Sequence, residues 1–452
     1  DVRISAAAGA ITDANGATLN ITAGTATLVA TAGIGSGDAI ETNITQLVAT
    51  NTAVGTIEVT EVSAAGPLAN IALGLVSNVG RDVTIKSENG SITDGNGAAL
   101  NISAGNAILN AAVSIGALPT TIFTCGPLDP SFDPVEVALT GSLNAVASDV
   151  VSIAGTIAGT ASVTATSAVL QLNQSFNVAG SAFTVTNLGL VVTGVLTLPA
   201  AFGVAGDLRV EGGDVVATNL TAERLLFASG LTETITVTAR VLDARAGGTL
   251  NVTATLDSLD LIDLDCDNVA LQSTANAGSV LLTSAGTVTV SDDVIAGNDL
   301  IANSTGNVTL TATGAASSII INDVVLTDNG HIVIRADNDV RFGMNFSAND
   351  VPPVLNAGTV PATDDLPVVT TVSGNITIQA DANGDANGAG GAIIMADGSR
   401  VVAGRNAVAN YIPGIDGAAS LSVISLGPAA VPAQVSLDAD GDITLGSVQT
   451  AD

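Results

Sequence analysis

Two stretches of this chain are written almost alike. GAITDANGATLNITAGTATLVATAGIG at 9–35 returns as GSITDGNGAALNISAGNAILNAAVSIG at 90–116. Ile11 matches Ile92, Asp13 matches Asp94, Asn15 matches Asn96, Leu19 matches Leu100, Ile21 matches Ile102 and Gly24 matches Gly105, every pair at the same offset. Both copies alternate apolar and small polar residues between Gly and Asn punctuation. Shorter versions of the line recur as GTIEVTEV (55–62), GRDVTIKS (80–87), GTLNVTATL (248–256), GNVTLTAT (306–313), GHIVIRAD (330–337), GNITIQAD (374–381) and GDITLGS (441–447). Period-two alternation buries one face of a strand and exposes the other. Helical periodicity is nearly absent.

A repeat step is legible over 278–312, where GSVLLTS at 278 returns as NDLIANS at 298 and GTVTVS at 286 as GNVTLT at 306. The two steps are equal, and the offset between the opening twins is about four of them. Short strands at such a period predict an all-β β-solenoid of about 20 residues per coil, running as one continuous body over 1–452. Each coil cannot bury its own inward face; the coils above and below do so, and Gly and Asn are expected at corners that need positive φ. Composition agrees. Hydrophobic residues make up 47% of the 452 residues, yet there is no Trp, one Tyr and eight Phe. Branched aliphatics with Thr suit pleated strands. An array of sandwich domains of about 80–90 residues is the competing arrangement. It is disfavoured because one strand phrase recurs many times between the start of the first twin and the start of the second.

Three segments break the rhythm: 117–136 and 344–373, each with four prolines, and 404–434, which contains NYIPGIDG and GPAAVPAQ. Proline cannot sit inside a stacked ladder, so these read as loop insertions that bulge outward, where binding is commonly placed. Phe123, Phe132, Phe346 and Tyr411 fall within them. The chain opens at Asp1 in strand-like VRIS, as a processed form or a piece of something longer would.

GNITIQA, GDITLGS and GSITDGNGAALNISAG resemble the repeats of filamentous-haemagglutinin-like adhesins and related large bacterial surface proteins. The resemblance covers most of the chain outside the three loop segments. It implies a right-handed parallel β-helix that holds a binding tip away from the cell. A secretion-recognition domain of the kind that family carries at its N-terminus is not seen here.

Net charge is −31, with one lysine (Lys86) and ten arginines. Nucleic acid is therefore a poor partner, since phosphate binding needs a basic stripe. Residues 150–206 hold no Asp, Glu, Lys or Arg, but polar residues interrupt them too often for a membrane span. Nine aromatics cannot form the girdles of a membrane barrel.

No cofactor is required by anything in the sequence, and calcium is the chemistry it best suits. DADGD (Asp438, Asp440, Asp442) and DANGDANG (Asp381, Asn383, Asp385, Asn387) set oxygen ligands at alternate positions around glycines, as a hard cation taking six to eight oxygens would want. The bland alternative is that Asp, Asn and Gly are corner residues. LDSLDLIDLDCDN (256–268) reads as an exposed acidic ladder whose like charges repel unless cation or water intervenes. One His and one Lys leave little for general-base work, so no enzyme is expected; His331 reads as a surface turn residue. Cys125 and Cys266 are some seven coils apart, about 30 Å along a stack, which is too far for a disulfide without a loop lying down along it. Asn-x-Ser/Thr sequons follow from composition. The Thr-x-Thr pairs (Thr236/Thr238, Thr253/Thr255, Thr287/Thr289, Thr309/Thr311) are too irregularly spaced to suggest one flat rank.

The expectation is a secreted or cell-surface structural protein: the shaft of a bacterial adhesin, or a filament subunit associating end to end. Its partners would be other copies of itself or adjoining domains of a longer chain. The alternatives are a glycan- or host-protein-binding module using the projecting loops, and more remotely a carbohydrate-active enzyme.

Overall fold

The computed structural model describes residues 1–64, 69–118, 122–123, 132–256, 258–264, 269–275, 277–296, 305–314, 316–327 and 330–343. Beyond these it describes the strands Val368–Thr371, Ile376–Ala380, Ile393–Met395, Arg400–Ala403, Ser422–Leu426, Val435–Asp438, Ile443–Thr444 and Ser447–Ala451. The fold is all-β and built from long parallel sheets, as a β-solenoid requires. The chain divides into two compact units, Asp1–Pro199 with Val204–Val216, and Ala200–Gly203 with Ala217–Asp452.

In the first unit, Val2–Ala6 lies on Ile21–Ala30, which lies on Ile40–Asn51, all parallel and in register. The alternation seen in the sequence becomes an in-and-out burial pattern: VTIKS at 83–87 is buried at Val83, Ile85 and Ser87 and open between them. Inward residues form columns. Ile11 bridges Ile34 and Ile34 bridges Ile57, and the column continues through Val83, Ala107, Leu143 and Ala161. From Ile34 onward each of these is essentially inaccessible to water. Burying a branched aliphatic side chain stabilises the fold by roughly 1.5–3 kcal/mol relative to exposure, and no aromatic is needed when like rests on like.

The second unit repeats the device. Leu250, Val280, Val308, Ile332 and Ile376 stack in one buried column. Val252, Leu282, Leu310, Ile334 and Ile378 stack beside it. Outside, Thr236, Thr253, Thr283 and Thr311 face one another on successive strands, followed by Arg335. An aligned threonine rank therefore exists despite the irregular spacing in sequence.

The step read from the phrases over 278–312 is not the step by which those strands stack. Val280 lies opposite Val308 and Val288 lies opposite Ile319. Between Val280 and Val308 the described residues form the further strands Thr287–Val290 and Asp293–Ala296. The phrases look alike because every strand buries the same alternating face, whether or not it lies on its look-alike.

The glycines that open the strand phrases also serve another purpose than expected. Gly278, Gly306 and Gly330 do not have positive φ. A Cβ on Gly278 would stand 2.7 Å from the carbonyl oxygen of Gly248, and one on Gly306 would overlap the carbonyl oxygen of Gly278. The same clash recurs between Gly330 and Gly306. Close backbone approach between successive strands excludes the side chain. Positive φ is the reason elsewhere, as at Gly35 and Gly116, with φ of 61° and 65°.

The 117–136 insertion does not simply bulge. An isolated antiparallel bridge joins Ala117 and Asp133 at its base. Ile122 and Phe123 are buried, and the Arg209 guanidinium donates to the Ile122 carbonyl at 3.2 Å. Phe123 thus serves packing and is not displayed for a ligand. The other two Pro-rich segments, with Phe346 and Tyr411, lie outside the described residues apart from the strands given above, as do Cys125 and Cys266.

These contacts predict that Gly306→Ala destabilises the protein by about 1–3 kcal/mol through forced separation of two strands. Gly9→Ala, with nothing within 4 Å of an added Cβ, should be close to neutral. Denaturant melts of the two variants check the contrast.

Candidate functional site

The twin lines of sequence build twin corners. In the first copy, Asp13 Oδ1 accepts the backbone N–H of Ala14 (2.6 Å) and Asn15 (3.0 Å) and the Asn20 side-chain amide (2.6 Å). Gly16 turns the chain with φ 61°. Asn20 then clips the next strand. Its backbone N–H donates to the Glu41 carbonyl (2.9 Å), and its Oδ1 accepts the Glu41 N–H (2.7 Å).

The second copy repeats these contacts except the one from Ala14, whose counterpart Gly95 donates its N–H to the Leu73 carbonyl at 2.9 Å. Asp94 Oδ1 accepts the Asn96 N–H (2.8 Å) and the Asn101 amide (2.7 Å). Gly97 has φ 63°. Asn101 donates to the Glu136 carbonyl (3.0 Å) and accepts the Glu136 N–H (2.8 Å). Leu19 and Leu100, matched in the twins, are both surface-exposed at these turns and contribute nothing to the core.

The equivalence continues past the twins. Ile21 lies opposite Thr42, and Ile102, its twin, lies opposite Val137, which is further along the chain than the twin offset would place it. The excess falls in the insertion after Gly116. Removing it aligns Asp38-x-x-Glu41 with Asp133-x-x-Glu136. Each corner therefore carries two aspartates and one glutamate on neighbouring turns, without the three carboxylates converging: Asp13, Asp38 and Glu41 in the first, Asp94, Asp133 and Glu136 in the second.

The asparagine clip fixes each glutamate through its peptide and leaves one carboxylate oxygen without a partner. Glu41 Oε2 and Glu136 Oε2 are shut off from solvent without a hydrogen-bond partner, and so is Asp13 Oδ2. Glu61, in the same unit, shows the contrast. It is buried but accepts from the Thr42 hydroxyl (2.8 Å), the Ile44 N–H (3.0 Å), the Ser63 N–H (3.2 Å) and the Ser63 hydroxyl. Among the described residues no ion pair involves any of the six corner carboxylates.

Electrostatics follow from this geometry. Burial, then the negative charges of Asp13, Asp38 and Glu88, push the Glu41 carboxyl up. Burial, then Asp94 and Asp133, push Glu136 up to about 7. Asp133 is raised by burial, by Asp94's charge and by a hydrogen bond to it. Asp13 moves the other way, held down chiefly by the Asn15 N–H. Such corners offer oxygen ligands alone, which suits a proton or a hard cation. No three His, Cys, Asp or Glu side chains among the described residues converge as a metal cluster by themselves. A cation here would need oxygens from amides, carbonyls or water as well.

A third acidic group lies in the second unit. Leu261, Val290 and Ile321 stack as the last residues of three successive strands, and Asp263, Asp292 and Asp323 each follow two residues later. The Asp263 N–H donates to Asp292 Oδ2 at 2.9 Å. Burial, then the charge of neighbouring Asp293, pushes Asp323 up to about 9, and the two carboxyls share a hydrogen bond. Part of the acidic ladder expected at 256–268 thus meets further acids, with a proton between one pair at neutral pH.

Of the metal ligands expected from sequence, Asp438 ends the strand Val435–Asp438 and pairs in register with Gln379. Asp440, Asp442, Asp381 and Asp385 lie outside the described residues. His331 is exposed at the start of its strand, its N–H donating to Asn307 Oδ1 at 2.7 Å. The corner acids were missed although their signal was present: Asp-x-Asn-Gly-x-x-Leu-Asn twice, each followed by Asp-x-x-Glu. No described helix is long and apolar enough to cross a membrane. Compared with protein-family models, curated proteins and solved structures, the chain matches none.

The raised carboxyls fix the sign of a pH dependence. Glu136 and Asp323 hold protons more tightly folded than unfolded, from ordinary values of 4.5 and 3.8 to about 7 and about 9. Their stabilising contribution is whole below the ordinary values and is lost as pH rises through 7 and then 9. Thermal melts in chelator should show the midpoint falling from pH 5 to pH 9. Glu136→Gln should flatten the fall between pH 5 and about 7, and Asp323→Asn should lessen it across the whole range up to about 9.

Proposed function

We propose that this chain is an extracellular structural element, the shaft of a bacterial surface adhesin or the subunit of a surface filament. The observation that carries the reading is the column packing. In each unit, inward aliphatics rest on aliphatics of the strands before and after, with exposures at or near zero. A chain that devotes its apolar residues to an unbroken stack gains stiffness along it and builds no concave pocket by default.

On this reading the coils wind right-handed at about 20 residues each, with longer turns where corners are extended. The likeness of GNITIQA and GDITLGS to adhesin repeats supports the same role. So does the charge of −31, which keeps a secreted surface soluble and apart from like molecules.

Electron microscopy of the purified protein tests the proposal. Elongated particles, single or joined end to end, are the expected result. Compact globules would refute it.

A further inference from the structure

We propose that the two repeated corners, Asp13–Asp38–Glu41 and Asp94–Asp133–Glu136, are calcium-binding sites. The inference stands apart from the shaft reading and concerns different residues from the aspartates near 381–385 and 438–442.

Acidity alone does not carry it. Glu41 is 7% exposed, and its Oε2 has no hydrogen-bond partner. Buried polar atoms are almost always paired, so an orphaned carboxylate oxygen marks a missing ligand. The acid across the corner supplies the second half of the argument. Asp13 Oδ2 is likewise closed to solvent and unpaired, on the side chain whose other oxygen ties the Asn20 clip that seats Glu41. Two unpaired anionic oxygens held in one corner by the backbone repel each other unless a positive charge intervenes.

The second corner replicates the first in part: Glu136 is half-buried and Asp94 leaves no orphaned oxygen. The Asn101 clip, the Asp94 anchor and an unpaired Glu136 Oε2 all recur, although an inserted segment intervenes before Asp133. A packing accident would not be expected to survive that insertion with the same atom left over.

Calcium fits better than magnesium. It accepts six to eight oxygens in loose geometry, so carboxylates, amide or backbone carbonyls and water can share it, whereas magnesium demands near-ideal octahedra and sheds water reluctantly. Because no three acidic side chains converge closely among the described residues, the affinity belongs to the weak class of extracellular calcium modules, with Kd of about 0.1–1 mM.

The test uses the full chain, stripped with chelator and titrated with calcium chloride at pH 7.5. Calorimetry should show binding that includes these two sites, and saturating calcium should raise Tm by about 2–4 °C. Glu41→Gln with Glu136→Gln should remove two equivalents and most of the shift. If that pair fails to fold, Asp38→Asn with Asp133→Asn, at exposed positions, should weaken binding several-fold and leave the core alone. Three results would overturn the proposal: no heat and no shift up to about 10 mM calcium, an equal shift with magnesium, or wild-type stoichiometry in the folded double variant. Stabilisation by acid with no response to calcium would count equally against it, because the corners would then hold protons.

Discussion

Everything in this fold depends on parallel backbones meeting at about 4.8 Å, strand after strand. That spacing admits little adjustment. Side chains pointing inward must match the residues above and below them in bulk, which is why Leu250, Val280, Val308, Ile332 and Ile376 can share one column. At the corners the same spacing forbids any side chain where a carbonyl of the previous level already stands, hence the glycine series Gly278, Gly306 and Gly330. An interior of aliphatics alone and a perimeter of Gly and Asn are two outcomes of one distance.

Polar groups at the perimeter are used in a correspondingly economical way. Asn20 and Asn101 mimic a strand at the end of a strand, giving and taking one hydrogen bond each from the glutamate of the next level. Asn51 and Asn78 act similarly inside, with the Asn51 amide donating to Asn78 Oδ1 at 3.0 Å and both amides holding turn carbonyls. Side-chain amides suit this task because each offers a donor and an acceptor at once. Carboxylates do not, and where they enter the interior they either collect donors, as Glu61 does, or retain an unsatisfied oxygen, as Glu41 and Glu136 do.

Much of this was legible in the residues. Alternation pointed to the strands, and the twin lines to a repeated corner. Register was not legible, since strands such as Thr287–Val290 and Val308–Ala312 are written alike yet belong to different columns. The insertion after Gly116 concealed Glu136 as the counterpart of Glu41, because it lengthens their separation beyond the offset that the twins keep. Glycine was predicted for the right places and, at Gly306 and Gly330, for the wrong reason. The threonine rank was discounted on irregular spacing, but sequence spacing does not measure alignment when corner lengths vary. In each case the missing information was which strand lies on which, a long-range property that a local pattern does not encode.

The excursion that follows Gly116 carries one more lesson. The chain leaves at Ala117 and rejoins at Asp133 through a single bridge, after which Val135–Leu139 lies on Ile102–Ala104 as if nothing had intervened. Such a corner is a natural grafting point. A foreign peptide spliced there would be presented on a stiff support while the strands on either side kept their neighbours, making this architecture a ready carrier for segments that have no fold of their own.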